Sequence, residues 1–398
     1  MSADSLWLAA VPPADMPEML ADLTAAAPAR RDLARRGLLV ALVGDGTALS
    51  PATLDVLPAV LARIADPATP ERAALIALVA ELVTGDTCWF LHDGFHVDQQ
   101  RRADSAARSQ HVGYAPGAPL PSRVSPRLAD EGRPTEPGSL GRAIADAAAA
   151  GMPVFLAAAA DPDPEVRAAV PFVCGFLTSE PSVRAAAMTL QRLLDDPAPA
   201  VRASAALGLS HATRFVPAWW EGAFQELDRR WSRGCDPLVR RCLALALVRY
   251  DQPDRTLAVR AYLADQLAAG VPRVAPPRFP WRRVDSAPFV MCTSYLGTAP
   301  TERDALREPA CAALPSIDDP HDAADLALWI ARLWTPASHA PLTRAAITAD
   351  EAAALEAIAA APRAWQWSDV GDELRGRGLP AERAALRRWL RGRAPTSG

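Results

Sequence analysis

Cys88-Trp-Phe-Leu-His92-Asp-Gly-Phe-His96-Val-Asp98 is where residue type and spacing in this sequence come nearest to metal chemistry. On a helix, Cys88, His92 and His96 fall at i, i+4 and i+8 on one face. Thiolate and imidazole both ligate Zn²⁺, and Asp98 could supply a fourth donor. Gly94 weakens any helix there, and no neighbour can be named that would orient the imidazoles. The preferred reading is an apolar helix end, Trp89 to Leu91, running into a polar loop, with no metal and no cofactor held. Acid–base work by His92 with Asp93 or Asp98 is a weaker alternative.

Other catalytic constellations are excluded by composition. All 42 basic residues are Arg, so a Walker-type phosphate loop, a PLP Schiff base and a Ser-Lys pair cannot be built within this chain. His-Glu-x-x-His, Gly-x-Ser-x-Gly and Gly-x-Gly-x-x-Gly are absent. The paired carboxylates Asp195-Asp196 and Asp318-Asp319 each precede a Pro at an expected turn between helices, where capping explains them. No catalytic residue is assigned, and an enzyme is the less favoured class.

Binding chemistry has a better candidate. In the Pro-rich stretch 270–288, Arg273, Arg278, Phe279, Trp281, Arg282 and Arg283 interleave guanidinium groups with rings. That pattern suits a protein, peptide or phosphate partner, with Phe279 and Trp281 as stiff anchors beside Pro280. The rival reading is a structural loop whose Trp packs onto the body of the fold. Two further clusters read as framework. Trp219, Trp220, Phe224 and Trp231 lie at helical spacing and are expected in a core. Arg383, Arg387, Arg388, Arg391 and Arg393 surround Leu386, Trp389 and Leu390, as on a terminal cap with a solvated basic face.

The elements that position these residues are helical. Half the residues are hydrophobic but only 6% are aromatic, so the core must be built mainly from Ala, Leu and Val. The 38 Pro residues belong at helix starts and connections, because Pro in a helix interior costs about 3 kcal/mol. A repeat is visible in Asp161-Pro-Asp-Pro-Glu-Val-Arg167, Asp195-Asp-Pro-Ala-Pro-Ala-Val-Arg202 and Asp236-Pro-Leu-Val-Arg240, the arginines being 35 and 38 residues apart. Pro181-Ser-Val-Arg184 falls half a period along, as in a helical hairpin whose two helices begin alike. Asp163 is placed to cap, and Val166, Val170, Val173 and Leu177 draw one apolar stripe. One hairpin cannot bury such a stripe, so neighbours must stack. The Arg of each copy is expected to reach an Asp of its own or the next repeat. Weaker copies occur at 50–64 with 69–82, at 303–314 with 322–334, and at 350–361 with 380–390.

At these residues the chain resembles the HEAT and PBS-lyase-type repeat superfamily, whose Leu-x-Asp-x-x-Pro-x-Val-Arg-x-x-Ala-Ala-x-x-Leu pattern is best matched at 194–207. Gly44-Asp-Gly-Thr47, the segment 51–70, residues 148–167 and the closing 378–386 are similar to actinobacterial HEAT-repeat proteins of no assigned activity. The resemblance implies an all-α fold, an α-α superhelix or solenoid of degenerate HEAT-like hairpins, and a scaffold that binds a protein or peptide. Alternatives on related architectures are a DNA-repair enzyme of the alkylpurine glycosylase type and a small-molecule-binding or lyase-type repeat protein.

The expected organisation is N-terminal helices and a first hairpin over 1–84, an irregular insertion at 85–138, central repeats at 139–269, the loop 270–288, and C-terminal repeats with a cap over 289–398. The net charge of −4 gives no global field to attract nucleic acid. Six Cys without Cys-x-x-Cys suggest reduced thiols and a cytoplasmic protein. Residues 6–11 lack a positive leader, so no signal peptide is expected. The longest uncharged apolar run, 147–160, is shorter than the ~18 residues a membrane span needs and is broken by Pro153.

Overall fold

A computed structural model describes residues 15–43, 50–84, 137–177, 180–214, 216–233, 236–250, 252–281, 283–296, 304–336, 338 and 340–392. No strand occurs among them. The helices form two compact units. One takes the described residues of Met1–Gly113, Leu120–Tyr250 and Ala275–Arg282, the other those of Asp251–Val274 and Arg283–Gly398. The chain thus leaves the first unit, returns to it for a few residues, and leaves again.

In the first unit, α1 (Met16–Asp22) packs on α2 (Pro28–Val43), and α3 (Thr53–Ala65) pairs with α4 (Arg72–Thr84). After α5 (Pro137–Ala150), which opens inside the span read as irregular, come three successive pairs. They are α6 (Met152–Ala158) with α7 (Pro164–Cys174), α8 (Glu180–Leu193) with α9 (Pro199–Thr213), and α10 (Pro217–Trp231) with α11 (Pro237–Val248). The second helices α4, α7, α9 and α11 stack in a row, each against the next. Within that row α9 is buried from Ala203 through Thr213 and α11 from Arg241 through Val248.

The starts of these helices follow the sequence. Asp163 accepts from the Glu165 N–H at 2.8 Å ahead of Pro164, and Asp236 accepts from Leu238 and Val239 ahead of Pro237. The stripe Val166, Val170, Val173 and Leu177 is buried throughout. Of the three repeat arginines, Arg167 makes the expected pairing with an Asp, whereas Arg202 bonds backbone carbonyls and Arg240 lies over the Trp231 ring at 4.8 Å. The Arg72 guanidinium reaches the Asp161 carboxylate, and Arg167 grips Asp196 of the next hairpin through Nε at 2.7 Å and Nη2 at 3.0 Å. Arg167 also closes its own turn through the carbonyls of Asp161 and Pro162, and Arg202 does the same through those of Asp196 and Pro197. Asp195 and Asp196 therefore do more than cap a turn, because Asp195 additionally pairs with Arg230 at 2.9 Å.

Gly208 allows the row to close. A Cβ there would lie 2.4 Å from the Pro171 carbonyl oxygen, so α7 and α9 approach more closely than any side chain permits.

The second unit runs through α12 (Leu257–Ala268), α13 (Ala287–Leu296), α14 (Arg307–Ala313), α15 (Pro320–Trp334), α16 (Ala349–Ala360), α17 (Asp369–Gly376) and α18 (Arg383–Leu390). Asp319 caps α15, and Thr348 with Glu351 forms a reciprocal capping box on α16. The short α17 between α16 and α18 is not marked by the repeat. Beyond α12, Gly270 at φ 74° and Val271 at φ 51° turn the chain into the Pro-rich stretch. Left-handed backbone is unusual for a β-branched residue, and here Val271 is buried and its N–H donates to the Gln266 carbonyl at 2.8 Å.

Candidate binding surface

The Pro-rich stretch is divided in its roles. Trp281 is 0% exposed and Phe279 only 3%. The Trp281 indole lies 4.9 Å from the Phe172 ring in an edge-on arrangement, 5.1 Å from His211 and 6.0 Å from Phe176. Its Nε1–H donates to Ser204 Oγ at 2.8 Å, while that hydroxyl donates to the Ala168 carbonyl at 2.6 Å. One serine on α9 thus ties the returning segment to both α7 and α9. Phe279 and Trp281 belong to the core of the first unit, contrary to the reading that made them docking anchors. An aromatic pair held stiff by Pro280 fills an apolar slot of its own repeat row, and burying a ring of that size is favourable enough to fix the segment.

The arginines of the stretch behave differently. Arg278 is 72% exposed and makes a surface ion pair with Glu165 at 3.2 Å. Arg273 is exposed. Arg283 is half-buried and already neutralised, by Asp325 at 3.0 Å and Asp322 at 3.8 Å. Arg282 lies outside the described residues, as do Cys88, His92, His96 and Asp98. Among the described residues no cluster of His, Cys, Asp and Glu could hold a metal ion. The Trp219–Trp231 helix is partly core: Phe224 is fully buried and meets Tyr250 edge-on at 5.6 Å, whereas Trp219, Trp220 and Trp231 are half-buried.

A site in the second unit has no counterpart in the sequence motifs. An open cleft of about 420 Å³ lies among Trp365, Trp367, Gly371, Arg375, Glu382 and Arg383. Trp367 stands 44% exposed in its wall. Its orientation is set by His321 at the start of α15, stacked on it at 4.8 Å and 23°. Trp365 is fixed by its Nε1–H donating to the Ile358 carbonyl at 2.9 Å, and Arg383 by Nε donating to the Ala359 carbonyl at 2.9 Å. Gly371 brings α17 against the chain at Ala381, since a Cβ would sit 2.4 Å from the Ala381 carbonyl oxygen.

Ion pairs stiffen this region. Glu373 on α17 accepts from Arg332 of α15 and from Arg377, both at 2.9 Å. Burial pushes the Glu373 carboxyl up, but the two guanidinium groups outweigh it and hold it below its usual range. The signal that could have revealed the cleft is Trp365-Gln-Trp367-Ser, two rings with polar neighbours and no helical stripe.

The model for HEAT repeats matches residues 152–247. Over that middle span the chain is similar to HEAT repeats. The match spans α6 through α11, the helices that carry the Arg167–Asp196 rung and the Trp281 slot. No curated protein matches the chain. Among solved structures, one described as "Crystal structure of Uso1-2" is similar at 15% identity and a TM-score of 0.33, with 92% of this chain and 54% of that one covered. The chain spans about half the length of that protein, and a likeness of this degree carries no weight for fold or function. No described helix is long and apolar enough to cross a membrane.

Proposed function

We propose that the chain is a non-catalytic HEAT-repeat scaffold that binds a protein or peptide partner. The observation that carries this reading is Trp367, a large ring held by stacking in an open cleft and left 44% exposed. Trp is the residue most able to supply binding energy from a single position, and a preorganised ring loses little entropy when a partner covers it. Stacked helical hairpins supply the rigid frame that such recognition needs. Arg273 of the second unit and Arg278 of the first, loop arginines that stand in solvent, are kept as two separate secondary proposed contacts.

The test is selection from a displayed peptide library on the immobilised full chain. Enriched peptides should bind Trp367→Ala at least about tenfold more weakly, at an unchanged melting temperature. Failure to enrich any peptide over a blank surface would refute the scaffold reading.

A further inference from the structure

We infer that the exposed face formed by Arg387 and Arg388 of α18 and by Arg391 just past it, with the tryptophan cleft at the start of the helix, docks an acidic segment of a partner protein. The inference rests on the scaffold reading and adds the chemistry of the partner. Arg383, Arg387 and Arg391 recur every fourth residue, and Arg388 stands beside them. The opposite side of the helix is the packed one: Leu386 is fully buried, and the Trp389 Nε1–H donates to the Leu342 carbonyl at 3.1 Å. Arg387, Arg388 and Arg391 therefore point away from the body of the unit, while Arg383 reaches in to the Ala359 carbonyl.

Arg387, Arg388 and Arg391 are exposed, and among the described residues none pairs with a carboxylate. Elsewhere in the same unit Arg283, Arg307, Arg332, Arg375 and Arg377 each have an acidic partner. Three like charges thus lack a carboxylate partner among the described residues, Arg387 and Arg388 in the last turn of α18 and Arg391 just past it, in a chain whose net charge is −4. The helix dipole accounts for part of this, since cations near a C-terminus are favourable. Arg383, the first residue of α18, is satisfied instead by the Ala359 carbonyl in the last turn of α16. Like charges at i, i+4 also repel, so the stripe destabilises its own helix, and a ligand bearing carboxylates would relieve it.

Size and surroundings set the occupant. Eight helical residues span about 12 Å, the length of roughly four residues of extended peptide. Asp372 and Glu382 bound the stripe at the cleft, so a long polyanion would soon meet carboxylates, while a short segment with its acids on Arg387, Arg388 and Arg391 and an apolar residue toward the cleft would not. The exposed Trp367 adds an apolar contact beside the charges.

The experiment uses the full chain and fluorescence anisotropy. Three labelled probes are compared: a 12-residue Asp/Glu peptide with one Leu, the same peptide with Asn and Gln in place of every acid, and a 12-base-pair DNA duplex. The acidic peptide should bind, more tightly as salt is lowered. Combining Arg387→Gln, Arg388→Gln and Arg391→Gln should weaken it about tenfold or more, whereas Arg184→Gln with Arg192→Gln on the first unit should not. A triple variant whose melting temperature falls would be replaced by the single change Arg388→Glu, expected to act in the same direction. Equal binding of the amide peptide, an unaffected triple variant, tighter arginine-dependent binding of the duplex, or no binding of the acidic peptide would each overturn the inference. Library-selected peptides that bind wild type and triple variant equally would sink this inference and leave the scaffold reading standing. Failure to select any peptide would sink both.

Discussion

Replacing Trp281 by Ala tests whether the returning segment is framework. The ring is fully enclosed by Phe172, Phe176 and His211, and its N–H is satisfied by Ser204. Truncating a buried Trp to Ala costs about 3–5 kcal/mol through lost transfer energy and the cavity left behind. For a unit of this size each kcal/mol lowers the melting temperature by about 2–4 °C, so a mid-range loss of about 4 kcal/mol gives about 8–16 °C. Trp281→Phe separates the two contributions. It keeps most of the apolar contact and forfeits the bond to Ser204 Oγ, at a cost of about 1 kcal/mol. Scanning calorimetry on the full chain follows the transition, and the emission of Trp281 should be that of a dry indole. A Trp281→Ala protein melting within about 2 °C of wild type would refute the packing account and return Trp281 to the surface.

Gly208→Ala should destabilise the first unit, because about 1–3 kcal/mol of overpacking against the Pro171 carbonyl exceeds the ~1 kcal/mol gained in helix propensity; urea unfolding measures the sign. The Arg167–Asp196 rung should make stability pH-dependent. Burial raises the Asp196 carboxyl, but Arg167 and the Ala198 N–H lower it further, leaving it below its ordinary value. A depressed carboxylate adds stability above its unfolded pKa and loses it as pH falls through the folded one, so Asp196→Asn should flatten the loss of stability seen below about pH 4. Cys174, whose thiol burial pushes up to about 12, should resist thiol-specific labelling in the native state and react on unfolding.

What could be read in the sequence was the part governed by local chemistry. Asp163, Asp236 and Asp319 cap helices because an Asp before Pro offers an acceptor where the first N–H groups are free, and that is decided within four residues. The Arg167 rung was legible because Arg167 and the Asp-Pro turn before it recur one repeat later, which brings Asp196 of the next turn beside Arg167. Trp281 was not legible in this way. Its slot is assembled from Phe172, Phe176, Ser204 and His211, far away in the chain, and no periodicity links them to a Pro-rich loop. The cleft was missed for a related reason. Trp367 is held by His321, far back in the chain, beside the short α17, and the repeat pattern marks neither. On α18 the arginine spacing alone reads as a wet cap, and that Arg387, Arg388 and Arg391 have no carboxylate partner among the described residues is visible only in three dimensions.

The most direct measurement of the central claim is backbone amide hydrogen exchange on the full chain, with and without a library-selected peptide. Bound peptide covers main-chain and neighbouring side chains, so slowed exchange maps its footprint. Protection gained within residues 365–391, with 199–213 and 275–281 unchanged, is the predicted result. Protection gained at 275–281 instead, with 365–391 unchanged, would contradict the account.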